Sequence, residues 1–249
     1  MSKNESEMFS NKTPVLTFDT DWAPDYAIDY VVKKLEKWNI RATWFVTHDS
    51  QVIQKLKNNS LFEVGIHPNF RENSTQGKSV DEVLRNMKKI APNAKSTRMH
   101  GLLQSTDILL KLNQYDIEND VSILLDHQSF LRPYYSNYYQ ITRIPYFWED
   151  DLEMLSHRDW EDVEKYFSLT GLKIFDFHPI HIFLNSSTME TYEKIKLNGY
   201  PKIDESQLLK HRNQDVGVDT FFEKFLEKLN NFETFTITEI SEMFKKNKD

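Results

Sequence analysis

Apolar residues along this chain keep changing their spacing, from short unbroken runs to repeats every three or four positions, and this alternation constrains the fold more than any other feature. PVLTF (14 to 18), ATWFV (42 to 46) and FEVGIH (62 to 67) read as buried strands, while Tyr26 to Trp38 and SQVIQKLKNN (50 to 59) between them read as helices. The same rhythm continues with a helix over 80 to 90, a strand over 95 to 101 and a helix over 105 to 114 with Ser105 or Thr106 as N-cap. A strand follows over 121 to 126, then an extended stretch over 140 to 148, a helix over 159 to 170 and a strand over 172 to 178. The chain closes with a helix over 219 to 230, FETFTI (232 to 237) as a last strand, and a last helix. Strands alternating with helices over a whole domain predict a mainly parallel sheet covered by helices. Six to eight strands fit a closed or nearly closed β/α barrel, with a doubly wound open sheet as the alternative.

No linker rich in Pro, Gly or Ser divides the 249 residues, so residues 13 to 249 are expected to form one domain after a disordered tail at 1 to 12, with a loop-and-helix insertion over 185 to 215. A net charge of −7 offers no global positive field, which argues against nucleic acid and anionic membranes as main partners. With no cysteine, a transition-metal site here must use His and carboxylates. No apolar run approaches the roughly 18 residues a membrane-spanning helix needs. The polar N-terminus lacks the core of a signal peptide, so the expected location is cytoplasmic.

In a parallel α/β fold the functional residues gather where the strands finish. The expected strand ends carry Asp19 and Asp21, then His67, Arg98 with His100, Asp126, and His178 followed by His181. Each has an ordinary alternative. Asp21 suits a cap for the segment starting at Pro24, and a lone histidine before Pro68 or Pro179 suits a half-buried turn. A metal clip made of His178 and His181 on one helical turn is disfavoured by Pro179, which opposes a helix starting at His178. The collection is what points to chemistry, because metal-ligand and acid/base residue types stand at nearly every strand end. His157 and His211 lie in charged surroundings and read as surface residues, while His48 and His127 follow strands and read as rim residues. Among the aromatics, Phe147 reads as core and Trp148, beside two carboxylates, as a pocket wall suited to a sugar ring.

Five motifs, TFDTDW (17 to 22), EVGIHPNF (63 to 70), TRMHGLLQS (97 to 105), IPYFWED (144 to 150) and FDFHPIHIF (175 to 183), resemble in kind and order those of the polysaccharide deacetylases of the NodB-homology type, carbohydrate esterase family 4. The likeness is to a divergent, signal-less subgroup found with surface-polysaccharide synthesis. It implies a distorted β/α barrel of about seven mainly parallel strands, one divalent metal ion, usually zinc, and hydrolysis of the acetyl group of an N-acetylated saccharide or sugar precursor. Asp19 matches the general base, Asp21 and His67 metal ligands, Arg98 the arginine that orients the base, and His178 the general acid. Tyr146, Trp148, Asp150 and His181 are expected on the substrate side of the crevice.

The family pattern has a second metal histidine four residues after the first, and here that position is Arg71. His100, Asn69 and Asn73 are the candidates for the missing ligand, and imidazole suits zinc better than an amide. Thr20 between the two acids leaves open which of them is the base. A C–N hydrolase acting on a non-sugar amide, or a barrel that has lost catalysis and only binds a sugar or a partner, are the competing readings.

Overall fold

The structure, a computed structural model, describes residues 14–156, 160–197, 200 and 202–246. The expected tail at 1 to 12 and His157 lie outside the described residues. Strands β1 (Pro14–Asp19), β2 (Ala42–Val46) and β3 (Phe62–Ile66) alternate with helices α1 (Asp25–Trp38) and α2 (Gln51–Leu56). Then come α3 (Val80–Ile90), β4 (Ser96–Thr97), α4 (Thr106–Leu112), β5 (Asn119–Asp120), β6 (Tyr134–Ser136), β7 (Ile141–Arg143) and β8 (Trp148–Glu149). The remaining elements are α5 (Asp150–Leu155), α6 (Glu164–Ser168), β9 (Lys173–Phe177), α7 (Pro179–Leu184), α8 (Met189–Leu197), α9 (Glu205–Leu209), α10 (Val218–Leu229) and α11 (Ile237–Lys246).

Among the described residues nine strands form one sheet in the order β6-β7-β5-β4-β3-β2-β1-β9-β8, parallel except for the β6/β7 pair. The sheet curls into a distorted barrel because β7 and β8 belong to one extended segment, 141–149, that bonds to both of its ends. Near its start Thr142 pairs with Asn119, midway Tyr146 bridges Leu124, and at its end Trp148 pairs with Phe175 of β9. Counting that segment once and leaving β6 outside, seven staves make the ring, so the expected seven appear as nine short strands.

Side chains of β1 alternate across the sheet, as a period of two requires. Leu16 and Phe18 pack outward into the large core shared with the helices, where Phe18 stacks on Trp44 at 4.3 Å. Val15 turns inward to a second core with Phe45, Ile144, Tyr146 and Ile174, and Ile237 and Ile240 of α11 plug that core from the end where the strands begin. The plug is tied down by hydrogen bonds from the Ile237 N–H to Thr43 and from the Thr238 N–H to Glu63.

Two local expectations are corrected, and the reading of Pro179 holds. The last strand over 232 to 237 does not form; Thr234 accepts from the Arg41 N–H, and Thr236 begins α11 in a reciprocal cap with Glu239. The strand over 121 to 126 does not form: β5 ends at Asp120, and Leu124 keeps an isolated bridge. There the Asp120 carboxylate accepts from the backbone and hydroxyl of Ser122, replacing ladder bonds with local ones. Helix α5 follows β8 directly, and α7 begins at Pro179. His178 remains extended at φ −102°, ψ 124°, and Pro179 occupies the first helical position, where its missing N–H is not needed.

Candidate metal and catalytic site

The ends of β1, β3, β4, β8 and β9 meet in a polar cavity of about 210 Å³. Asp21 reaches it through a strained turn, in which Asp21 and Trp22 both have left-handed backbone (φ 40° and 56°). The Trp22 N–H donates to Thr47, the Tyr200 hydroxyl donates to the Asp21 carbonyl, and the Thr20 and Thr47 hydroxyls bond to each other. Asp21 therefore caps no helix. His67 follows β3 with its N–H on the Val46 carbonyl, and the His100 N–H donates to the Pro68 carbonyl, which brings the two rings together.

Asp21 Oδ1, His67 Nε2 and His100 Nδ1 form a nearly equilateral triangle, with separations of 3.2, 3.1 and 3.2 Å. Ligands at 2.0 to 2.1 Å from a tetrahedral zinc stand about 3.3 Å apart, so the three atoms fit one face of such a site. Hydrogen bonds alone satisfy the triangle poorly, since two ring N–H groups donating to the same Asp21 oxygen leave their nitrogens 3.2 Å apart with no hydrogen bond between them. Burial opposes charge on Asp21, but hydrogen bonds from His100 and His67 outweigh it and hold the carboxyl well below its usual range. Asn69 and Asn73 do not line this cavity.

Asp19 is held differently. Arg98, fully buried, donates from Nη1 to Asp19 Oδ1 at 3.0 Å and also to Asp176, and from Nη2 to the Thr17 hydroxyl at 3.0 Å. Its guanidinium is stacked over the Tyr146 ring at 4.3 Å. Burial pushes the Asp176 carboxyl well above its usual value, the Arg98 charge notwithstanding.

On the opposite wall, His178 Nδ1 lies 2.7 Å from Asp150 Oδ1 and its ring Nε2 lies 3.9 Å from Asp21. Burial opposes a charged imidazole here, yet the Asp151 and Asp150 carboxylates outweigh it and hold His178 well above its ordinary value. His181 lines the same cavity with Nε2 2.9 Å from Asp151.

Asp150 is fully buried and serves His178 instead of facing the cavity. Trp148 is also fully buried, stacked on Phe221 at 5.2 Å and 8°, and is a core residue where a pocket wall was expected. Phe147 is core as read. Tyr146 does line the cavity, donating its hydroxyl to Glu149 at 2.5 Å. Asp126 and His127 belong to a separate cluster with Glu153, and neither they nor His48 line the cavity; His211 is exposed.

Sequence reasoning missed Glu149, Asp151 and Asp176. Asp176 carried a signal, an acid inside the otherwise apolar strand KIFDF. Which acids of WEDD turn inward depends on where α5 begins, and that was not legible. Burial and the Asp151 charge push the Glu149 carboxyl up to about 7.

Over residues 16–196 the chain matches the family model described as WbmS-like polysaccharide deacetylase. Among solved structures it is similar to a Bordetella bronchiseptica protein described as a polysaccharide deacetylase involved in O-antigen biosynthesis, at 30% identity and a TM-score of 0.81, over 92% of this chain and 95% of that one. A Mycobacterium smegmatis protein described as a polysaccharide deacetylase shares the fold at 11% identity and a TM-score of 0.60, over 96% and 92% of the two chains. No curated protein matches the chain. No helix among the described residues is long and apolar enough to cross a membrane.

Proposed function

The chain belongs to the WbmS-like polysaccharide deacetylase family, and from that premise we propose that it is a metal-dependent hydrolase that removes the acetyl group from an N-acetylated sugar, with Asp21, His67 and His100 holding one divalent ion, zinc by the character of the ligands. The observation that carries the reading is the ligand triangle of 3.1 to 3.2 Å beside an arginine-held carboxylate and a carboxylate-held histidine. A bound divalent ion would supply acidity to a water molecule and polarise the acetamide carbonyl.

The remaining work falls to the protein's own side chains. Asp19 accepts the proton of the attacking water, and Arg98 fixes the carboxylate in place. Asp150 holds the Nδ1 proton of His178, so that Nε2 presents its proton to the cavity, and His178 gives that proton to the departing amine. The products are acetate and a free amino sugar. The reading extends to a part in surface-polysaccharide synthesis, in keeping with the O-antigen biosynthesis named for the Bordetella relative.

The test is acetate release by the zinc-loaded protein from N-acetylated sugars, native and as Asp19→Asn. Release that falls by at least about a hundredfold in the variant supports the assignment. Equal release from both contradicts it.

A further inference from the structure

Among the ionisable acid and base side chains that line the catalytic cavity, acids and histidines predominate, and the permanent cations are Arg71 and Lys196. Arg71 also lines a second cavity of about 560 Å³, formed by the 70–83 stretch, so its side chain stands at the boundary between the two. We propose that Arg71 anchors an anionic group, a phosphate or a carboxylate, carried by the sugar substrate, and that the larger cavity receives the part of the substrate bearing it. The inference rests on the reading of the smaller cavity as a deacetylase site.

Four observations carry it. Among the described residues the Arg71 guanidinium has no ion pair or side-chain hydrogen bond, whereas the other cation, Lys196, pairs with Glu193 at 3.2 Å. Its place is built by Gly101, whose backbone is left-handed (φ 58°) and whose missing Cβ would lie 1.9 Å from Arg71 Nη2. The guanidinium therefore lies directly against the residue that follows the ligand His100.

The loop carrying Arg71 is also fixed. The buried Gln76 side chain donates to the Thr47 and His67 carbonyls at 2.9 and 3.2 Å and accepts from the Asn69 N–H at 2.6 Å, fastening the loop to the ends of β2 and β3. Finally, the larger cavity adds Lys78, whose ammonium has no ion pair among the described residues, and hydrogen-bonding groups at Asn73 and Ser74. A guanidinium presents paired donors that match phosphate and carboxylate oxygens. The loop beneath it is fastened beforehand, so the backbone gives up little freedom when the anion arrives.

The experiment uses three probes: the neutral methyl glycoside of N-acetylglucosamine, N-acetylglucosamine 1-phosphate, and the methyl glycoside of N-acetylglucosaminuronic acid. Binding is measured by calorimetry on the zinc-loaded full chain in an Asp19→Asn background, with Arg71 intact, as Arg71→Gln and as Arg71→Lys. At least one anionic probe is expected to bind about tenfold or more tightly than the neutral one, with the preference falling towards one in Arg71→Gln and partly kept in Arg71→Lys. The probe that shows the preference identifies phosphate or carboxylate as the anion. Equal binding of all three, a preference that survives Arg71→Gln, or no measurable binding of either anionic probe would overturn the proposal. Acetate release from the same probes by the otherwise native chain separates the two readings. Discrimination without release leaves Arg71 as the anchor and removes the deacetylase reading, while release without discrimination does the reverse.

Discussion

His178 is gripped twice by Asp150: its Nδ1 lies 2.7 Å from one carboxylate oxygen, and its backbone N–H donates to the other at 2.9 Å. One acid thus sets both the ring orientation and the tautomer, and with Asp151 it keeps the imidazole protonated above its ordinary range. A general acid works only while protonated, so activity should hold through neutral pH and fall as pH rises through the raised pKa of His178. In Asp150→Asn the alkaline limb of the kcat/KM profile is expected to move down by about one unit or more. An unchanged limb would remove His178 from the acid role.

Arg98 lies between Asp19 and Asp176 with no access to water. Arg98→Met leaves two buried carboxyl groups without their cation, and the expected loss of stability is about 3–5 kcal/mol, read from the urea midpoint. A loss below about 1 kcal/mol would contradict a structural role for the Arg98 ion pairs.

Glu149 titrates near 7, against an ordinary value of 4.5. Between these two pH values the folded protein holds a proton that the unfolded chain releases, so stability should decline as pH rises from about 4.5 to 7 and then level off. Glu149→Gln should flatten this slope, which is worth up to about 2 kcal/mol once partial exposure is allowed for. Thermal melts across that range, for both proteins, check it.

Trp148 packs among Phe175, Phe177 and Phe221. Trp148→Ala is expected to cost about 3–5 kcal/mol of stability, while the KM of the protein that remains folded stays within about twofold of native. A large rise in KM with little loss of stability would return Trp148 to the pocket wall.

The barrel was legible in the sequence because buried parallel strands and amphipathic helices leave different apolar periods, and because the strand ends from Asp19 to His178 carry reactive side chains where that topology collects them. Trp148 was misread for a local reason. A tryptophan beside two acids looks half-polar in sequence, but β8 turns its ring outward under α10 while Glu149 faces the cavity and Asp150 holds His178. The 121 to 126 stretch was misread because Val, Ile and Leu there pack on turns held by Asp120 and Ser122, and apolar content alone does not reveal side-chain bonds that compete with a ladder. The triangle of Asp21, His67 and His100 depends on a left-handed turn at Asp21 and Trp22, a conformation the residues themselves do not announce.

The most direct test of the account is the metal content of the purified, zinc-equilibrated protein, compared with His67→Ala, His100→Ala and His127→Ala. Close to one ion per chain is expected in the native protein and in His127→Ala, with loss from His67→Ala and His100→Ala. Full metal content in His100→Ala, or no bound metal in the native chain at any zinc concentration it tolerates, would contradict the site.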